Sequence, residues 1–167
     1  MKEKSLSFAC KQYRGGSRNL LEVDANIAYD NNGFKDVIFF SIFKNFERSP
    51  DNSITMKMDT FMLRVLGEAL RTLIIKNASP EFNMVTGATE SVKELTLGYT
   101  AGDHGDSYFI NIKHGEKKLS SPFSLFQIKA LLLSLTHLCD SLDDKMSEMT
   151  IGRSIKFEKA AALKKGK

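Results

Sequence analysis

Residues 20–46 read LLEVDANIAYDNNGFKDVIFFSIFKNF, and their spacing decides the kind of fold the chain builds. Leu21, Val23, Ala25, Ile27 and Tyr29 alternate with Glu22, Asp24 and Asn26, the period-two pattern of a strand with one buried face. Asn31-Asn32-Gly33 follows, and Asn-Gly suits the left-handed backbone of a tight hairpin. A long strand from Phe34 to Phe46 then returns. With Asn32-Gly33 as the turn, Ile27 opposes Ile38, Ala25 opposes Phe40 and Val23 opposes Ile42 on the core face. The other face carries Asn26 beside Phe39, Asp24 beside Ser41 and Glu22 beside Phe43. Lengthening the loop by two residues leaves both faces unchanged.

Working outward, Ser5 to Tyr13 sets Leu6, Phe8 and Cys10 inward and Lys11 and Tyr13 outward, and Arg14-Gly15-Gly16-Ser17-Arg18 breaks that strand. After Ser49-Pro50-Asp51-Asn52, Ile54, Met56 and Met58 mark a fourth strand. Asp59 caps a helix running to about Asn77, with Met62, Val65, Leu66, Ala69, Leu70, Leu73 and Ile74 on one stripe. The second half repeats the plan. Phe82 to Thr86, Lys93 to Tyr99, a strand with Tyr108, Ile110 and Ile112, and Lys117 to Ser121 are its strands. Ser124 with Gln127 forms a capping box for a helix ending near Leu142, on Leu125, Ile128, Leu131, Leu132, Leu135, Leu138 and Leu142. The expectation is an α+β fold built from a duplicated ββββα unit, with antiparallel sheets and two long helices on one face. Residues 1–152 form one domain with pseudo-repeats 5–77 and 82–143, and residues 153–167 form a basic, mobile tail.

Two helices cover one face of such a layer, so the other face meets water, another subunit or a ligand. The turn at His114-Gly115 places Ile110, Ile112 and Leu119 inward and Phe109, Asn111, Lys113 and Lys118 outward. The outward face thus combines Tyr13, Phe39, Phe43 and Phe109 with Lys11, Lys113 and Lys118. Rings interleaved with amines suit a single-stranded nucleic acid, since bases stack on rings while amines neutralise phosphates. Glu22 and Asp24 on the same face oppose that use and direct a binding path toward edges and loops. The formal charge of +4 is localised: Arg153, Lys156, Lys159, Lys164, Lys165 and Lys167 face one acid, Glu158, and Lys2, Lys4, Lys11, Arg14 and Arg18 form a second excess near the start. This asymmetry points to a polyanionic partner, with Arg14, Arg18 and the tail cations Arg153, Lys156, Lys159, Lys164 and Lys165 joining the candidate contacts. The rival reading is a protein–protein adaptor or oligomeric scaffold that uses Phe39 and Phe43 as an interface.

Catalytic chemistry finds little support. His104, His114 and His137 are scattered, and His137 and Cys139 stand two apart on a helix, the wrong spacing for a shared zinc ion. The loop Asp103-His104-Gly105-Asp106 reads as a solvated turn, and Gly15-Gly16 lacks the lysine of a phosphate-binding loop. No enzyme activity, metal or cofactor is expected. No apolar run approaches the roughly 20 residues that span a bilayer, Met1 to Ser5 lacks a secretory signal, and Cys10 and Cys139 read as buried free thiols. These features predict a cytoplasmic protein without membrane contact.

The order of elements resembles the Whirly fold, a duplicated four-strand-plus-helix unit that binds single-stranded nucleic acid, over roughly Ser5 to Leu142. The Lys-Gly-Lys-Ala-Ala-Leu motif of plant Whirly proteins lies on an early strand. Here Lys159-Ala160-Ala161-Ala162-Leu163 follows the last helix, so no role is carried over to it. In size and layout the chain is also similar to the single-stranded-DNA-binding RNA-polymerase cofactors of phages that package a polymerase in the virion. That resemblance implies oligomers, an RNA polymerase partner and a role in middle-gene transcription within a host cytoplasm; RNA is a second candidate ligand.

Overall fold

A computed structural model describes the backbone of residues 4–14, 18–30, 33–88 and 91–165, and the side chains of 6–14, 18–29, 33–88 and 91–156. Strands β1 (Lys4–Arg14), β2 (Leu20–Asp30), β3 (Gly33–Phe43) and β4 (Ser53–Met58) form one antiparallel sheet in sequence order. Helix α1 (Thr60–Lys76) follows. Strands β5 (Asn83–Thr86), β6 (Lys93–Thr100), β7 (Ser107–His114) and β8 (Lys117–Phe123) form a second sheet in the same order, followed by α2 (Leu125–Lys165). The fold is therefore α+β, with two four-stranded meanders each trailed by a helix, as a duplicated ββββα unit requires.

Both sheets and both helices share one core. Val23, Ala25, Phe40, Ile42 and Met56 of the first sheet and Leu95, Ile110 and Ile112 of the second are fully buried, together with Leu66, Leu70 and Leu73 of α1 and Ile128 and Leu131 of α2. Leu63 rather than Val65 turns inward on α1. The helix starts have the expected chemistry: Asp59 accepts from the Met62 amide at 2.7 Å, and Ser124 and Gln127 cap each other's amides at 3.3 and 2.9 Å. Asn77, left-handed at φ 46°, ends α1 and accepts a hydrogen bond from the buried Tyr108 hydroxyl at 2.7 Å, tying that helix to β7. Where the sheets meet, Lys93 Nζ donates to the Thr55 carbonyl at 2.7 Å and Lys117 Nζ to those of Pro50 and Ser53 at 2.9 Å.

Three expectations change. The central hairpin pairs Asp30 with Gly33, so Ala25 opposes Ile38, Val23 opposes Phe40 and Asp24 opposes Phe39. The pairing has moved by two residues and the faces stand, because side chains alternate with period two. A bulge in β1 has a larger effect. Leu6 opposes Ile27, but beyond the bulge Ala9 opposes Ala25 and Lys11 opposes Val23, leaving Phe8 as the extra residue. The rest of the strand is turned over: Lys11 and Tyr13 go to the helix side and Cys10 to the outside. The third change is the length of α2, which runs past the expected end near Leu142 without a break to Lys165. Between Leu125 and Lys156 this helix is long enough to cross a membrane and holds an 18-residue window apolar enough to do so, of mean hydropathy 1.2. Its buried Ile128, Leu131, Leu135, Leu138 and Leu142 instead fill the shared core.

The bulge makes a chemical prediction. Cys10 is exposed and Cys139 is buried; burial, with Glu22 and Asp24, raises the Cys10 thiol, and burial pushes the Cys139 thiol up to about 11, so accessibility sets the contrast. A thiol reagent at neutral pH should therefore modify Cys10 in the folded protein and reach Cys139 only on unfolding, which mass spectrometry of the labelled peptides resolves. Protection of Cys10 in the native state would mean that β1 runs without the bulge.

Candidate nucleic-acid interface

The outer face of the first sheet begins with Cys10, Gln12 and Arg14 on β1, continues with Leu20, Glu22 and Asp24 on β2, and ends with Phe39, Ser41 and Phe43 on β3 and Thr55 and Lys57 on β4. Its centre is occupied by the chain itself. Glu22 is only 6% exposed and accepts from Gln12 Nε2 at 2.8 Å and from the Arg48 guanidinium. Arg48 also lies over the Phe43 ring, 5.3 Å from its centroid, and Phe43 is buried at 7% exposure. Ser41 and Thr55 share a hydroxyl contact at 2.8 Å. Phe43 is thus closed to a stacking base, and Phe39 alone of that pair reaches solvent.

Lys11 and Tyr13 do not belong to this face, contrary to the alternation of their sequence. Lys11 Nζ lies 3.3 Å and the Tyr13 hydroxyl 2.7 Å from Ser134 Oγ on α2. Burial pushes the Tyr13 phenol above its ordinary value, the Ser134 contact opposing. Both residues fasten the edge strand to the helix.

At the rim the picture differs. The Arg14 carbonyl accepts from Gln127 Nε2 at 3.2 Å, which fixes the end of β1 beside the first turn of α2. The Arg14 guanidinium stands over the exposed Phe46 ring, 5.3 Å from its centroid, and forms no ion pair among the described residues. Phe46 sits in the β3–β4 connection at φ 62°, after Asn45 at φ 54°. A left-handed aromatic residue is costly, of order 1–3 kcal/mol, and persists where the surrounding structure holds it. The sequence reading absorbed Phe46 into the long strand and passed over Arg48. The interleaving of Lys44, Phe46 and Arg48 was the signal that could have singled out this segment. Arg18 is exposed on the neighbouring β1–β2 connection.

The outer face of the second sheet matches expectation. One row runs Val85, Glu94, Lys113 and Lys118; the next runs Asn83, Thr96, Asn111 and Ser120; a third runs Gly98, Phe109 and Pro122. Phe109, Asn111 and Lys113 are therefore consecutive outward positions of β7. Phe109 and Asn111 flank Gly98, where an added Cβ would make ordinary contacts, 3.6 Å to Phe109 Cβ and 3.7 Å to Asn111 Nδ2. Lys113 and Lys118 are exposed and make no ion pair among the described residues, although Glu94 opposes Lys113 in register. The Asn111 amide likewise has no hydrogen-bond partner among them. The strip offers a ring, an amide and two amines within about 13 Å of strand.

Of the remaining candidates, Arg153 is half-buried and Lys156 exposed on α2, while the side chains of Lys159, Lys164 and Lys165 lie outside the described residues. Among the described residues, no group of three His, Cys, Asp or Glu side chains could hold a metal ion.

The new place of Lys11 and Tyr13 has a measurable consequence. Tyr13→Phe should lower unfolding free energy by about 1 kcal/mol, as read from a urea titration, and leave affinity for a single-stranded oligonucleotide unchanged. Lost affinity at full stability would return both residues to the binding surface.

No family model matches the chain and no curated protein matches its sequence, so the surface is read from its chemistry.

Proposed function

We propose that the chain binds single-stranded nucleic acid, DNA foremost, along the outer face of its second sheet and the Arg14–Phe46 rim of its first. The observation that carries this reading is the strip on β7. Phe109 offers a ring to a base, Asn111 an unengaged amide to a base edge, and Lys113 with Lys118 two amines to phosphates. Stacking on a sheet-borne ring requires an unpaired base, which a duplex does not present. The duplicated ββββα architecture and the order of its elements support assigning the chain to the Whirly type of fold. The basic end of α2 supports added phosphate contacts of no sequence preference. As a single-strand binder, the protein fits an accessory role in replication or transcription, including that of a phage RNA-polymerase cofactor.

A second reading has its own observation. Phe61, Phe126 and Leu133 are exposed on the helical layer, Phe126 at 88%, which suits a protein partner such as a polymerase. The sheet patch first considered for an adaptor is weaker, because Arg48 covers Phe43.

Titration of a labelled oligonucleotide at two salt concentrations tests the main reading. Micromolar or tighter binding that weakens with salt is expected, with duplex binding weaker. Phe109→Ser should cost about 1–3 kcal/mol of affinity. Lys113→Ala should lower the slope of log affinity against log salt by about one unit. Equal affinity for duplex, or no response to either substitution, would reject the strip as a single-strand site and favour the adaptor.

A further inference from the structure

Past Met149, the described residues of α2 have only partial cover from their own chain, Ile151 beside Asp36 and Thr60. Met146 and Met149 are its last described residues to pack on the core. Beyond them Ile151 and Ile155 are 60% and 46% exposed, one turn apart on the same helical face, and the backbone stays helical to Lys165. A short helix unsupported by packing is marginal in water, and helices in proteins persist by burying an apolar stripe. A partner seated on this face would bury Ile151 and Ile155.

The charges on either side specify that partner. On the N-terminal side lie Asp140, Asp143, Asp144 and Glu148, with Lys145 between them; on the C-terminal side lie Arg153, Lys156, Lys159, Lys164 and Lys165, with Glu158 between them. The sign reverses across Ile151. Two such helices laid antiparallel, crossing near Ile151, bring the acidic run of each opposite the basic run of the other and bury the isoleucines between. A parallel pair would set like charge on like. Nucleic acid along the same stripe would gain the basic run and meet repulsion from the acidic one. Arg64 on α1 already holds Asp140 and Asp143 at 2.9 and 2.7 Å, which leaves Asp144 and Glu148 as the acids best placed to face a partner's amines, Glu148 sharing Lys145 at 3.0 Å.

We propose that α2 is the dimerisation element of this protein, its C-terminal third pairing antiparallel with the same segment of a second copy about a two-fold axis near Ile151. Such an interface is isologous, each patch meeting itself, and its self-complementarity follows from the sign reversal. It leaves the second sheet's outer strip open in both copies, so two single-strand sites become linked in one particle.

Sedimentation equilibrium of the full chain, without nucleic acid, tests the pairing independently of any binding activity. The wild type should show a reversible dimer. Ile151→Asp with Ile155→Asp should weaken it by about 100-fold or more, since a buried unpaired carboxylate is strongly disfavoured, while the thermal unfolding of the body persists. A second pair of variants fixes the orientation. One chain carries Asp144→Lys and Glu148→Lys, the other Lys156→Glu and Lys159→Glu. Each alone should be mostly monomeric, and an equimolar mixture should recover dimer. A wild type that stays monomeric at every concentration, isoleucine variants that associate like wild type, or a mixture no better than its parts would each overturn the proposal. Isoleucine variants that keep the dimer but lose single-strand affinity would overturn it in favour of nucleic acid as the cover.

Discussion

The apolar faces of both sheets close on the same two helices. Phe40 and Met56 from one sheet and Leu95 and Ile110 from the other join one core with Leu66 and Leu70 of α1 and Leu131 and Leu135 of α2. Neither half could bury its apolar sheet face with one helix alone, so duplication of the unit and sharing of the helices are a single solution. It dictates the outer surface too. With every helix committed to the inner side, the outer sheet faces must be finished by side chains, and the two sheets finish theirs differently. The first uses Arg48, Gln12 and Glu22 to close its centre; the second leaves Lys113 and Lys118 exposed beside the half-buried Phe109 and Asn111.

Much of this was legible in the sequence because it follows from period. Strand alternation survives an error of two in pairing, which is why the faces of β2 and β3 were read correctly from a displaced turn. The strip of β7 was read for the same reason, since its turn at His114 left the phase intact. Lys11 and Tyr13 were misplaced because a one-residue bulge reverses phase, and nothing in Leu6-Ser7-Phe8-Ala9-Cys10 marks which residue is extra. Phe43 and Phe46 were hidden from view for another reason. Whether an outward ring is open or closed depends on which distant side chain falls upon it, and Arg14 and Arg48 reach these rings through tertiary structure. Helix α2 was cut short at Leu142 because its run of leucines ends there, although Met146 and Met149 still pack on the core and the backbone stays helical to Lys165.

The four hydrogen bonds and the bulge that shape the first sheet also govern what its borders can do. An unpaired strand edge is a template on which another chain can add a strand, the first step toward aggregates. On the β4 side, carbonyls of Ser53 and Thr55 are already taken by Lys117 and Lys93. On the β1 side, the extra residue at Phe8 interrupts the ladder, and Ser134 holds Lys11 and Tyr13 against α2. Both borders of this sheet are therefore poor docking rails for a foreign strand. Copies of this chain crowded side by side can keep their strands to themselves.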